Sequence, residues 1–392
     1  MNFNKSFWGA VFLICGCCIG AGMLAMPLAT AKVGFFPSAF VFFLCSLFML
    51  ANALLILELC LYESAPIHFT TLSEKTLGSW AKILSATLFI SLFYSLMTAY
   101  VVGAEIFLGK IFFFKQAKIA SFFLVLSIFL ALYMGTKISE QFNKILFVMM
   151  IFVFFTLLFF GGESVDIAAL RQASWKGAFS AFPVGIVGFG FHQMVPTLSS
   201  YLKYDHRLLS KSFIWGTALV LGLYLIWQAY VFALFPLHEG VLQKSIEIGS
   251  DSKIFEKEGF FFLLLMDCFS FLALLTSFLA VSLSFVDFFL DLFSSKKKAF
   301  DKGFFVALVL LPPWVMAASH PGVFLKALDI AGGIVALALF GVLPPLMVWK
   351  QRYVQKLKGV RCLFGGKASL IILLLFSITL LIIDCIREFA FF

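Results

Sequence analysis

Two stretches of this chain place glycine and proline inside long apolar segments. The first is Gly16-Cys17-Cys18-Ile19-Gly20-Ala21-Gly22-Met23-Leu24-Ala25-Met26-Pro27, and the second is Gly185-Ile186-Val187-Gly188-Phe189-Gly190-Phe191-His192-Gln193-Met194-Val195-Pro196. Sliding the first along by 168 residues aligns Gly9 with Gly177, Ala10 with Ala178, Gly20 with Gly188, Gly22 with Gly190 and Met26 with Met194. Glycine leaves the backbone little side-chain restraint, and proline removes a donor and clashes one turn back. Each stretch is therefore expected to interrupt a helix. Broken backbone survives at membrane depth only where it is buried in protein or lines a cavity. Close helix packing through Gly-x-Gly would account for one copy alone. Two copies in register point instead to the binding site of a carrier built from two halves.

Such a pair can grip a zwitterion without charged side chains. A carboxylate is held by backbone N–H groups at the positive end of a half-helix, and an ammonium by carbonyls at a negative end. The amides of Gly20, Ala21, Gly22 and Met23 are expected to face the carboxylate. Carbonyls around Gly16, Cys17, Gly185 and Gly188 are expected to face the ammonium, with Gly190 loosening the second break. Phe189 and Phe191 flank that break and either pack on a ring or face lipid. His192 and Gln193 follow it; each can hydrogen-bond a phenolic hydroxyl, and helix pairing is the competing reading. In the third span Tyr94, Met97 and Thr98 share a helical face, and Tyr100 lies nearby; all are candidate pocket residues.

Three acids and two hydroxyls are candidates for ion coupling. Glu58 and Glu105 lie near span ends, where solvent contact is the simple expectation. Asp267 lies deeper, where a carboxylate is expensive and a functional suspect; it either relays a proton or accepts from a backbone amide. Thr276-Ser277 either coordinates sodium opposite the first break or bonds its own helix. The eight cysteines show no paired metal spacing, so no metal or organic cofactor is expected, only a coupling ion, a proton before sodium. No phosphate loop, catalytic triad or zinc motif suggests an enzyme.

The elements that must position these residues follow from composition. The chain is 62% hydrophobic with 12% charged residues, too apolar for a soluble domain. An all-α integral membrane protein is expected, a single domain over 1–392. Hydropathy places eleven spans near 7–30, 34–59, 82–108, 118–136, 142–161, 177–200, 212–235, 259–290, 302–319, 322–349 and 367–386. Spans one to five (about 7–161) and six to ten (about 177–349) make two units of five. An odd number reverses the second unit, giving a LeuT-type 5+5 inverted repeat with broken helices one and six. The eleventh helix (about 367–386) is an addition. The larger share of the 29 Lys and Arg residues falls on the N-terminal side of the first span, and the acidic loop Pro236–Glu258 falls on the other. The N-terminus is then cytoplasmic and the C-terminus periplasmic. The net charge of +9 reflects this topology rather than nucleic acid, and no obligate protein partner is indicated.

Longer words in the chain resemble a known family. Gly20-Ala21-Gly22-Met23-Leu24-Ala25-Met26-Pro27-Leu28-Ala29 resembles the first-span signature of the bacterial hydroxy and aromatic amino acid permeases. Gly188-Phe189-Gly190-Phe191-His192, Val195-Pro196 and Ser200-Tyr201 resemble the sixth span. Thr276-Ser277-Phe278-Leu279, Phe285-Val286-Asp287-Phe288 and Asp291-Leu292-Phe293 resemble the eighth. Leu311-Pro312-Pro313 and Pro321-Gly322-Val323-Phe324 resemble the ninth-to-tenth region. The resemblance implies an eleven-span inner-membrane carrier that imports aromatic amino acids with protons, tyrosine first and tryptophan next. A serine or threonine carrier, a sodium-coupled carrier and an amino acid sensor are the rival expectations.

Overall fold

The computed structural model describes residues 3–63, 67–112, 117–160, 166–234, 260–293, 302–320, 323–357 and 359–389. Among them the secondary structure is helical, apart from one isolated bridge between Gly34 and Ala173. The first half contains α1 (Phe3–Cys18), α2 (Ala21–Ala29), α3 (Phe35–Leu61), α4 (Phe69–Leu77), α5 (Ser79–Phe112), α6 (Ala117–Met134) and α7 (Thr136–Phe160). The second contains α8 (Phe182–Gly188), α9 (Val195–Tyr201), α10 (His206–Leu234), α11 (Phe260–Leu292), α12 (Lys302–Ser319), α13 (Phe324–Ile330) and α14 (Leu343–Trp349), followed by α15 (Gly366–Phe389). The acidic loop Pro236–Glu258 lies outside the described residues.

Among the described residues, nine helices are long and apolar enough to cross a membrane, or ten with α1 and α2 as one bent span. The stretch Lys118–Met134 of α6 is apolar but shorter. Ten of the eleven expected spans are thus matched by a membrane-length helix or by the bent pair, and the fourth is not. Apolar side chains at the rim are exposed, as lipid contact requires: Phe152 at 71% and Phe159 at 81% on α7.

The breaks sit elsewhere than proline alone suggests. Gly16 and Cys17 are wound into α1, and the first break is Ile19–Gly20, with a 50° bend. α2 runs through Pro27 to Ala29, so this proline does not end the helix. Pro183 and Pro196 stand in the first turns of α8 and α9, where a missing N–H has no intrahelical acceptor to lose. The sixth span is interrupted after Gly188, over Phe189–Phe191, and continues through a 3₁₀ turn at His192–Met194.

Two features escape a hydropathy reading. The short helix α4 lies between the second and third spans, and Ser73 Oγ on it meets Ser85 Oγ of α5 at 2.8 Å. The tenth span is wound with wide π turns over Ala331–Val342, a winding often found at functional sites. Its Gly332 abuts the carbonyl of Pro183, so a side chain there would displace α8.

The first span packs on the seventh (α1 with α10), and the sixth on the second (α8 and α9 with α3). The eighth packs on the fifth (α11 with α7), and the third on the tenth (α5 with the π-wound stretch). Further pairs join spans one and six, two and seven, three and eight, and four and nine.

Candidate site at the paired helix breaks

Glycine sets the separation of the two breaks. A Cβ on Gly22 would lie 3.1 Å from Gly188 Cα, so the two backbones meet without side chains between them. A Cβ on Gly188 would overlap Met26 Cε and reach 3.2 Å from the Tyr224 ring. A Cβ on Gly20 would overlap Ser277 Oγ of α11. Gly185 faces Cys45 of α3, with 2.8 Å from such a Cβ to Sγ.

Termination of each half-helix frees peptide groups. Ile19 N donates to Cys15 O at 2.8 Å, and Met23 N to Gly20 O at 3.0 Å. The amides of Gly20 and Gly22 have no backbone acceptor among the described residues, and the carbonyl of Gly16 no backbone donor. Met23 differs from the expectation: its amide is engaged within the turn, and its side chain is buried. At the second break the amides of Phe189, Gly190, Phe191 and Met194 bond Gly185, Val187, Phe189 and Phe191 respectively.

Side chains lace the breaks together. The Tyr224 hydroxyl of α10 lies 2.6 Å from Cys18 O and 2.8 Å from Gly188 O, the carbonyls that end α1 and α8. Cys17 Sγ donates to Gly190 O at 3.7 Å, and Gln193 Nε2 donates to Cys17 Sγ at 3.4 Å. Phe189 is buried edge-on against Tyr224, with ring centres 5.3 Å apart. Met97 and Tyr100 of α5 are buried, with Tyr100 edge-on to Phe278 of α11. Gly20, Gly22, Gly188, Gly190, Cys17, Gln193 and Ser277 lie together here. Sequence reasoning misses Tyr224, which carries no motif, and Gly332, whose pairing with Gly333 in an apolar span is a usable signal.

Other candidates are turned elsewhere. His192 is fully buried; Nε2 sits 2.9 Å from Met49 O, and the ring stacks on Phe340 at 4.8 Å. Phe191 packs against Phe213 rather than facing lipid. The Tyr94 hydroxyl donates to Leu308 O of α12 at 2.9 Å. Thr276 bonds its own helix at Ala273 O, 3.0 Å away, whereas Ser277 Oγ faces Gly20. Asp267 is half-buried on α11.

The two glutamates are not solvated, contrary to expectation. Glu58 is fully buried and takes a bidentate pair from Arg352, Nε to Oε1 and a terminal nitrogen to Oε2, both at 2.5 Å. Cys362 N adds a third bond to Oε2 at 2.9 Å. Arg352 lies beyond the expected end of the tenth span, which is why hydropathy does not pair it. Glu105 accepts from Ser121 Oγ at 2.6 Å, and Trp314 Nε1 donates to that same hydroxyl oxygen at 3.3 Å, tying spans three, four and nine.

Among the described residues no group of His, Cys, Asp and Glu could hold a metal ion. The model of the tryptophan/tyrosine permease family matches residues 3–384. The chain is similar to a tyrosine-specific transport system 1 of Haemophilus influenzae, 30% identical over 96% of this chain and 95% of that protein. It is also similar to tyrosine-specific transport system 2 of the same organism, at 28% over 99% and 98%. A tryptophan-specific transport protein from that source is 28% identical over 96% and 94%. A family match over nearly the whole length, with relatives aligned end to end, places this chain in the tryptophan/tyrosine permease family, whose members are permeases rather than enzymes.

Proposed function

We propose that this chain is a secondary active carrier that imports aromatic amino acids, tyrosine first and tryptophan next, by alternating access. One observation carries the reading: two interrupted helices stand backbone to backbone, with the Gly20 and Gly22 amides on one side and the Cys18 and Gly188 carbonyls on the other. These are the complementary ends a zwitterion requires. The names of the relatives supply the aromatic class.

A LeuT-type inverted repeat is part of the proposal, and the packing supports it. Exchanging span n with span n+5 turns the one–seven pair into six–two and the eight–five pair into three–ten; all four occur. The pairs one–six, two–seven, three–eight and four–nine map onto themselves. Within this scheme the shorter α6 serves as the fourth span and completes the eleven, the protein lies in the bacterial inner membrane, and the N-terminus is cytoplasmic. Proton symport is the proposed coupling. Sodium coupling is the second reading, favoured by Ser277 lying directly against Gly20.

The test is uptake of labelled tyrosine, tryptophan and phenylalanine into proteoliposomes under separate proton and sodium gradients. Concentrative, saturable tyrosine uptake driven by an inward proton gradient is expected. Uptake that never exceeds equilibrium would overturn the carrier reading, and uptake driven by sodium alone would select the second reading.

A further inference from the structure

The oxygens of Cys18, Gly188 and Tyr224 form a buried trio that is short of protons. Each carbonyl ends a half-helix, α1 or α8, and so carries the negative end of a helix dipole. Tyr224 is fully buried, and its hydroxyl lies 2.6 Å from one carbonyl and 2.8 Å from the other. A hydroxyl has a single proton, whereas a primary ammonium has three. We propose that the Tyr224 hydroxyl takes the place of the substrate ammonium while the carrier is empty, and so governs the unloaded return step. This rests on the carrier reading above. An empty site would otherwise leave both carbonyls buried without a donor, which is the expensive condition. When an amino acid arrives, its N–H groups serve the carbonyls and the phenol oxygen becomes an acceptor. Tyr224 therefore stabilises the one state that net uptake needs and that exchange of substrate for substrate avoids.

The experiment compares Tyr224→Phe with the parent protein in proteoliposomes. The ring and its packing on Phe189 are kept. Net tyrosine uptake down a proton gradient is measured beside exchange of labelled for unlabelled tyrosine at equal pH. Net uptake should fall about tenfold relative to exchange, the size of one lost buried hydrogen bond. A proportional fall in both would mark a merely structural role and overturn the inference, as would no change in either. Should Tyr224→Phe not purify as a monodisperse protein, p-aminophenylalanine in place of Tyr224 supplies two N–H donors. The KM for tyrosine should then rise, and an unchanged KM overturns the inference. If the parent protein fails to concentrate tyrosine, the carrier reading itself has failed, which is a separate result.

Discussion

The two breaks share a glycine pattern and differ in how they use it. The first is abrupt: α1 ends at Cys18, α2 starts at Ala21, and the axis turns by 50°. The second is gradual, passing from α8 through Phe189–Phe191 and a 3₁₀ turn before α9 begins. An abrupt break leaves the first amides of a new helix without acceptors. A gradual one engages amides in its own turns, as at Gly190 N to Val187 O, 3.0 Å. The first break thus leaves amides at Gly20 and Gly22 without backbone acceptors, beside the Cys18 carbonyl that meets Tyr224. The second presents the Gly188 carbonyl and a wall of buried phenylalanines. Matching sequence words do not give matching roles, because hydrogen bonds after a break depend on how quickly the helix restarts.

Gly22→Val should break this comparison most severely. The new side chain would meet Gly188 backbone, which cannot move aside like a flexible side chain. Overpacking of about 1–3 kcal/mol translates to a loss of up to roughly 100-fold. Tyrosine uptake measured beside the amount of inserted protein checks it; near-normal uptake would remove the first break from the site.

Breaking the Glu58–Arg352 pair should act on stability rather than on the contrast between breaks. Arg352→Ala leaves a buried carboxylate with one remaining backbone donor, Cys362 N. Loss of one partner costs about 3–5 kcal/mol. Thermal unfolding in detergent should shift strongly downward, while Glu58→Gln, which removes the charge, should be milder. Equal melting of all three proteins would contradict the pairing.

Gly20→Ala should reduce uptake about tenfold by overlap with Ser277, and adding Ser277→Gly should restore most of it. A double variant no better than the single one would mean that the contact is not the cause. Gly190→Ala should cost a comparable amount, since its new Cβ would lie 2.9 Å from Val187 O, a backbone atom that cannot swing aside. Cys17→Ala should be the mildest, about two- to threefold in KM, because a thiol hydrogen bond is weak. Kinetics of the three variants side by side give the order; a larger loss in Cys17→Ala than in either glycine variant would contradict it.

Much of the architecture is legible in residue order alone. Apolar runs of bilayer length mark spans whatever they pack against, so ten of the expected spans coincide with membrane-length helices or the bent pair. Gly20, Gly22, Gly188 and Gly190 declare themselves because glycine twice in register is a local property of the chain. The partners of His192 and Tyr94 are hidden for the opposite reason. A polar side chain bonds whichever neighbour lies nearest, and here those are Met49 O and Leu308 O, each far away in sequence. Proline misleads, since its effect depends on its place within a helix: Pro27 lies inside α2 and Pro196 at the start of α9.

The sequence by itself determined an all-helical membrane chain, two glycine-weakened segments in matching halves, and its family. Those follow from composition and local backbone freedom. Only the tertiary structure decided that Tyr224 spans both half-helix ends, that Glu58 is clasped by Arg352, and that one break is abrupt and the other gradual. Each depends on segments brought together from distant parts of the chain, and hydrogen bonding is too short-ranged and directional to be read from residue order.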